Sequence, residues 1–191
     1  MDKKLNLSDC YLKPGFAYGG SCLPKDLRAL MTLAHDHYLD SPVLNNIEKS
    51  NKNQQNIVFQ KIIESNKQKI GFLGISFKSG TDDLRESPII DIIERLIGKG
   101  YHTIIYDENV HISKLFGANR DYILKKIPFI SKFITNDAEE FIHKSEVIVI
   151  VNNDRSFRAI LDNVPPQVAI YDLVNYPFNK CDDVCYEGIC W

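Results

Sequence analysis

Apolar residues recur with a helical period in the first third of the chain. One series of four is spaced i, i+3, i+4 and i+7, which predicts an amphipathic helix; it consists of Leu27, Leu30, Met31 and Ala34. Pro24 suits the first turn of this helix, where a missing N–H costs nothing. The pair Ser41 and Pro42 then predicts the start of a longer helix over residues 41–66.

The longer predicted helix has apolar ends and a polar middle, residues 50–56. A polar middle fits a stretch that is simply solvated. It also fits a long helix whose apolar ends pack against another domain or subunit. The pattern alone leaves both interpretations open.

From about residue 68 the pattern changes to short apolar runs that alternate with helical stretches. The runs predict buried strands over residues 70–75, 103–107, 133–135, 146–151 and 168–172. The stretches between them predict helices over residues 87–98, 137–144 and 154–162, and helical turns around residues 111–127. This alternation predicts a Rossmann-like doubly wound α/β fold, a parallel sheet covered by helices on both faces. The sequence therefore predicts a helical segment, residues 1–67, followed by a Rossmann-like domain, residues 68–191.

The overall composition excludes several classes of partner. Hydrophobic residues make up 44% and charged residues 25% of the 191 positions, as in ordinary globular proteins, and the net charge is -2. That charge gives no reason to expect nucleic acid or an anionic membrane surface as a partner. No apolar run approaches the roughly 20 residues of a membrane span, and the N-terminus lacks the apolar core of a signal peptide. We expect a cytoplasmic protein without nucleic-acid or membrane partners.

The five cysteines are too few and too irregularly spaced for a disulfide framework. Three of them, Cys181, Cys185 and Cys190, lie near the C-terminus, but their spacing matches no common zinc pattern and no histidine lies nearby. We expect free thiols and no metal site.

The loop after the first predicted strand lacks the glycine pattern of a dinucleotide-binding turn. Its sequence is GISFKSG over residues 74–80, so Phe77 and Lys78 stand where the backbone must come close to a pyrophosphate. Residues 76–87 are densely charged, and such a run is most often only a solvated surface. This run, however, is expected at the carboxyl edge of the sheet, just before a helix N-terminus that attracts anions. Its position favours a phosphate-bearing ligand other than a conventionally bound dinucleotide.

Cys22 lies within a residue or two of the first predicted helix. Unpaired N–H groups and the helix dipole stabilise a thiolate there, and Lys25 adds a positive charge. Gly19 and Gly20 remove side-chain bulk near the sulfur, and Asp26 is placed to position water or orient a neighbour. These features fit a catalytic cysteine and a small buried hydrophobe equally well.

Two long motifs resemble those of the UDP-glucose/GDP-mannose dehydrogenase family. PGFAYGGSCLPKD at residues 14–26 resembles the family's cysteine motif, and SFKSGTDDLRESP at residues 76–88 resembles its second signature. The resemblance runs from about residue 9 to residue 191, nearly all of this chain but only the C-terminal half of the usual family length. Three segments resemble the GDP-mannose branch of the family rather than its UDP-glucose branch: the loop before the cysteine, residues 78–81 and the chain end.

This resemblance implies an enzyme that oxidises the C6 alcohol of a nucleotide sugar, GDP-mannose, to a carboxylate with two molecules of NAD. Cys22 would be the nucleophile, through thiohemiacetal and thioester intermediates, and Asp26 would assist hydrolysis of the thioester. The nucleotide sugar would be bound by Tyr11, Lys13, Phe16, Gly19 and Lys78. The cofactor NAD would be reached by Lys25 and Arg85.

Two positions depart from the GDP-mannose branch. Cys10 stands where one such enzyme has tyrosine, and Lys13 stands where it has arginine. Lysine keeps the positive charge but lacks the two-pronged guanidinium fork. Because Cys10 departs from the tyrosine of that enzyme, it is not among the expected site residues.

The resemblance also implies a homodimer whose core is the long helix 41–66, which supports the interface interpretation of its polar middle. The family's NAD-binding domain and further catalytic residues are expected upstream, so we expect no NAD reduction by these 191 residues alone. The alternatives are a UDP-glucose or other UDP-sugar 6-dehydrogenase, a nucleotide-sugar-binding module without catalysis, and a structural fragment that dimerises through the long helix.

Overall fold

Two consecutive helices open the part of the chain that the structure describes. The computed structural model describes residues 15–177 and 185–189. Helix α1 spans Leu23–Asp36 and helix α2 spans Pro42–Glu64, each with a proline in its first turn. Both predicted helices are confirmed. Helix α2 ends slightly before residue 66 because Asn66 adopts a left-handed φ of 55°, which a helix cannot continue.

Six parallel strands form one sheet in the order β3-β2-β1-β4-β5-β6. The strands are β1 Lys69–Leu73, β2 His102–Tyr106, β3 Ile134–Thr135, β4 Val147–Ile150, β5 Ala169–Asp172 and β6 Tyr186–Gly188. The helices between them are α3 Pro88–Gly98, α4 Gly117–Lys126, α5 Ala138–His143 and α6 Phe157–Leu161, with short 3-10 turns at Ile112–Lys114 and Ile130–Lys132. This is the strand order of the doubly wound dinucleotide fold, so the predicted fold class is confirmed.

The sheet is buried on both faces, as continuous apolar strands require. On one face Phe59 and Ile62 of α2 join side chains of α3 and α4 in a single core cluster. On the other face Phe141 of α5 and Phe157 of α6 pack against β1, β4 and β5. The C-terminal half of α2 therefore belongs to the core of the sheet domain, although it precedes residue 68.

Strand β6 is not among the predicted strands, because residues 185–189 carry no continuous apolar run. The strand pairs with β5 at the sheet edge, where Tyr186 lies opposite Ile170. Glu187 forms an ion pair with Lys61 of α2, with Nζ and Oε1 2.7 Å apart. Tertiary pairing rather than local pattern thus specifies this strand.

Across residues 15–177 and 185–189, no helix is both long enough and apolar enough to cross a membrane.

Candidate active site

The carboxyl ends of β1 and β4 meet at the centre of the sheet, where the two halves of the fold wind in opposite directions. Such a switch point leaves a crevice in which doubly wound folds bind their ligands. A cavity of about 460 Å³ opens there, a size typical of small-molecule sites. Its lining includes Phe16, Ser76, Ser87, Val151, Asn153, Leu173 and Asn175.

Residues 15–22, the cysteine loop, lead from this cavity to helix α1. Cys22 is the N-cap residue of α1, and its carbonyl accepts a hydrogen bond from the N–H of Asp26 at 2.9 Å. The thiol is exposed, with Sγ 3.9 Å from the hydroxyl oxygen of Ser21. Because the side chain is exposed, the alternative of a small buried hydrophobe is wrong.

The cysteine loop packs closely on residues 76–87, the charged loop. A Cβ on Gly19 would lie 2.2 Å from the carbonyl oxygen of Glu86, and a Cβ on Gly20 would lie 2.9 Å from the Phe77 ring. The space that the two missing side chains leave is therefore filled by the protein's own loop, rather than left to a substrate. Glu86 itself has a left-handed φ of 53°, which turns its backbone away from an extended path.

Asn51, in the polar middle of α2, fixes the cysteine loop. Its side-chain oxygen accepts a hydrogen bond from the Tyr18 N–H at 2.9 Å, and its side-chain nitrogen donates to the Tyr18 carbonyl at 2.9 Å. Both backbone groups of Tyr18 are thus satisfied by one amide. At this position the polar middle of α2 is neither simply solvated nor simply an interface.

Asn119 of α4 fixes the charged loop in the same way. Its side-chain oxygen accepts from the Leu84 N–H at 2.9 Å, and its side-chain nitrogen donates to the Asp82 carbonyl at 2.8 Å. Both loops that surround the site are therefore held by asparagine side chains from neighbouring helices.

Charged side chains of the two loops form local pairs. Arg85 donates from Nε and Nη2 to the two oxygens of Asp83, at 2.9 and 2.8 Å. The hydrogen bond from Arg85 is the main influence that lowers the pKa of Asp83 below its ordinary value, so the pair is charged near neutral pH. Lys25 and Asp26 pair at 3.3 Å and remain largely exposed on the first turn of α1.

Lys78 lies on the exposed side of the charged loop. Its carbonyl accepts hydrogen bonds from the hydroxyls of Ser76 at 2.9 Å and Thr81 at 2.8 Å. These bonds fix the backbone of Lys78 while its ammonium group is in contact with solvent, where it is available to a phosphate.

The positions that a dinucleotide would use in this fold are closed by the protein. The side chain of Asn152 fills the space beside Gly74, where a Cβ would lie 2.5 Å from its Nδ2 atom. Asp107, just after β2, corresponds to the acidic residue that binds a ribose in dinucleotide sites. It is buried instead and accepts bonds from the N–H groups of Ile75 and Asn109, both at 3.0 Å. These contacts agree with the absence of the glycine fingerprint.

The predicted site residues fall into three groups. Phe16, Gly19 and Cys22 lie on the cysteine loop, and Lys78 and Arg85 lie on the charged loop that packs against it. Lys25 and Asp26 lie on the outer side of α1 and pair with each other. Tyr11 and Lys13 lie outside the described residues, as do Cys10, Cys181 and Cys190.

Asn51, Asn119 and Asp83 take part in the site but were not predicted from the sequence. Single asparagines in a polar helix segment carry no signal that separates a loop clamp from a solvated residue. The pairing of Asp83 with Arg85 had a weak signal, because the two charges are two residues apart in a loop.

The fold and the site define an α/β domain of the doubly wound class, with a crevice at the switch point of the sheet and an exposed cysteine at the end of a loop that leads from it. Comparison with known proteins makes this class more specific. The UDP-binding-domain model of the UDP-glucose/GDP-mannose dehydrogenase family matches residues 71–176, and the central-domain model of the same family matches residues 1–53. The chain belongs to the UDP-glucose/GDP-mannose dehydrogenase family.

Similarity to particular members of the family extends over the whole chain. GDP-mannose 6-dehydrogenase of Pseudomonas savastanoi pv. phaseolicola is 45% identical over 191 residues, which are 100% of this chain and 44% of the relative. UDP-glucose 6-dehydrogenase of Rickettsia bellii is 38% identical over 112 residues, 56% of this chain and 25% of that protein. The chain thus spans less than half the length of the curated relatives it matches.

A solved structure gives the same relationship. The crystal structure of a ternary complex of GDP-mannose dehydrogenase from Pseudomonas aeruginosa superposes with a TM-score of 0.86 at 44% identity, covering 100% of this chain and 43% of that chain. The UDP-glucose dehydrogenase of Pyrobaculum islandicum, at 20% identity and a TM-score of 0.73, shares the fold over 98% of this chain and 42% of its own.

Replacement of Asn51 tests the clamp on the cysteine loop. We expect Asn51→Ala to lower the free energy of unfolding by about 1–2 kcal/mol, because two hydrogen bonds are lost and the Tyr18 backbone is left unpaired. Urea unfolding measures this change, and hydrogen exchange at the Tyr18 amide should become faster. Asn53→Ala, an exposed neighbour on the same helix, should change stability by less than about 0.5 kcal/mol. Equal effects of the two substitutions would contradict the clamp.

Proposed function

We propose that this chain is the C-terminal part of a nucleotide-sugar 6-dehydrogenase that oxidises the C6 alcohol of GDP-mannose to a carboxylate. The observation that carries the proposal is Cys22, which is exposed at the start of α1 on a loop whose residues 15–17 line the central crevice. A thiolate suits this reaction because it adds to an aldehyde and later leaves from a thioester.

In the proposed reaction, the sulfur of Cys22 forms the covalent intermediates with the C6 carbon. After the first oxidation the thiolate adds to the C6 aldehyde and forms a thiohemiacetal. The second oxidation gives a thioester, and water then cleaves its C–S bond to release the carboxylate and regenerate the thiol. NAD supplies the hydride acceptor for both oxidations. Asp26 is proposed to assist the final hydrolysis.

We propose binding roles for the other predicted site residues. Phe16, which is buried at the edge of the cavity, and Gly19 and Lys78 are proposed to contact the nucleotide sugar, together with Tyr11 and Lys13. Lys78 supports this assignment, because its exposed ammonium lies on the loop that borders the cavity. Arg85 and Lys25 are proposed to reach NAD. A free thiol at position 22 suits the reducing cytoplasm.

The two predicted segments are proposed to have separate tasks. Residues 1–67 would carry the catalytic cysteine and the dimer contacts, and residues 68–191 would bind the nucleotide sugar. The central-domain match to residues 1–53 and the UDP-binding-domain match to residues 71–176 support this division.

Turnover tests the proposed activity. We expect the 191-residue chain alone to give no NADH from GDP-mannose and NAD, whereas a chimera with the N-terminal part of the Pseudomonas aeruginosa relative does. In the chimera, Cys22→Ser should lower kcat by about 10³-fold or more, because the covalent route is lost. Cys185→Ser removes another exposed thiol and should leave kcat unchanged. Turnover that survives Cys22→Ser, or turnover by the isolated chain, would refute the proposal.

Nucleotide binding tests the choice between GDP and UDP sugars. The 45% identity to a GDP-mannose 6-dehydrogenase over the whole chain supports GDP. Calorimetry should therefore give a Kd for GDP about tenfold lower than for UDP, and Lys78→Ala should weaken GDP binding by about tenfold through loss of a charged contact. Lys99→Ala, an exposed lysine at the end of α3, serves as the control. A clear preference for UDP would favour the UDP-sugar enzyme, and no binding of either nucleotide would contradict both.

We also propose that the chain forms a homodimer through α2. Large apolar side chains are exposed along α1, α2 and their connection, including Leu33 at 54%, Leu39 at 63% and Val43 at 78%. Large apolar side chains exposed on neighbouring segments are typical of an interface. Light scattering should give the mass of two chains, and Val43→Asp should shift it toward one. Phe129→Asp, at an exposed aromatic residue outside both helices, should leave the mass unchanged. A monomeric unsubstituted chain would contradict the proposal.

A further inference from the structure

The Arg85 guanidinium is held in one orientation by Asp83. Two parallel hydrogen bonds, from Nε to Oδ1 at 2.9 Å and from Nη2 to Oδ2 at 2.8 Å, fix the plane of the group. Asp83 Oδ1 also accepts the Arg85 N–H at 3.0 Å, which ties the carboxylate to the backbone. The remaining terminal nitrogen, Nη1, makes no hydrogen bond to the part of the chain that the structure describes.

The loop beneath this pair is itself fixed. Asn119 holds the backbone at Asp82 and Leu84, on either side of Asp83. The pair faces an open groove of about 340 Å³ that Phe116 and Asn119 also line. An incoming anion can therefore reach the guanidinium without unfolding the loop.

The loop that carries this pair packs against the cysteine loop. Glu86, the next residue after Arg85, is in contact with Gly19 and forms an ion pair with Arg28 of α1 at 3.3 Å. The hydrogen bond to the Asp83 carboxylate is the main cause that raises the pKa of Arg85, and negative charge at Cys22 raises this pKa further. Arg85 and Cys22 therefore stand on two loops that are packed against each other.

We propose that Asp83 is a positioning residue that holds Arg85 as a binding group for a phosphate of the cofactor, on the loop that packs against the cysteine loop. The proposal rests on the proposed function, in which Arg85 reaches NAD. Asp83 orients the guanidinium, because its two oxygens accept hydrogen bonds from Nε and Nη2. The third nitrogen, Nη1, then faces the phosphate. Removal of Asp83 would leave a charged but mobile guanidinium.

The test compares an anionic with a neutral thiol reagent on the 191-residue chain. Iodoacetate and iodoacetamide both alkylate a thiolate with loss of iodide, but only iodoacetate is attracted by a positioned positive charge. Mass spectrometry of the Cys22 peptide separates this thiol from the other cysteines. At low salt, Arg85→Ala should lower the ratio of the iodoacetate rate to the iodoacetamide rate on the order of fivefold.

The key comparison is Asp83→Asn against Asp82→Asn. Both remove one negative charge from the same groove, but Asp82 does not pair with Arg85. The rate ratio in Asp83→Asn should fall about threefold below that in Asp82→Asn, and the two should become equal when Arg85 is alanine. Arg85→Lys, which keeps the charge without the fork, should behave like Asp83→Asn. Equal ratios in Asp83→Asn and Asp82→Asn would overturn the positioning role.

Two protecting anions distinguish the source of the phosphate. Inorganic pyrophosphate should slow the reaction of Cys22 with iodoacetate in the unsubstituted chain and do so less in Asp83→Asn. Protection by GDP should be the same in both chains, because its phosphates lie on the nucleotide-sugar side. Loss of GDP protection in Asp83→Asn would overturn the assignment to the cofactor. Failure of GDP to bind at all would instead refute the proposed function.

Discussion

The close approach of the cysteine loop to the charged loop is the contact on which the candidate site depends. Gly19 lies against the Glu86 carbonyl and Gly20 lies against the Phe77 ring, at distances where any side chain would collide. Glu86 precedes Ser87, whose hydroxyl donates a hydrogen bond to the carbonyl of Ile75, two residues after the end of β1. These contacts connect the loop that carries Cys22 to the centre of the sheet, although α1 itself has few buried residues.

Neither loop has regular secondary structure, so its backbone groups need other partners. Asn51 and Asn119 supply them, each with one donor and one acceptor directed at a loop backbone. Both asparagines stand on helices, which are stiffer than loops and transmit the packing of the core to the site. The polar middle of α2 therefore has a structural task in this chain, and large apolar side chains beside it are exposed.

The sheet has the strand order of a dinucleotide-binding domain, but its interior uses the corresponding positions differently. Asp107 is buried, which raises its pKa, and its oxygens hold the start of the loop after β1. Asn152 occupies the space where a glycine-rich turn would admit a pyrophosphate. The cavity lies at the ends of β1, β4 and β5, where Ser76, Val151 and Leu173 line it.

The sequence by itself determined the fold, because strand and helix periodicity are local properties that the buried sheet then satisfies. It also determined that Cys22 starts a helix, since Pro24 and the apolar spacing define that helix without reference to the rest of the chain. Several features could be decided only by the tertiary structure. Strand β6 exists because β5 and Lys61 offer partners to a segment without an apolar run. The exposure of Cys22, the Asn51 and Asn119 clamps, and the fork between Asp83 and Arg85 all depend on residues far apart in sequence or on side-chain directions in a loop. Hydrophobic periodicity carries no information about either, because polar contacts are set by the three-dimensional position of single atoms.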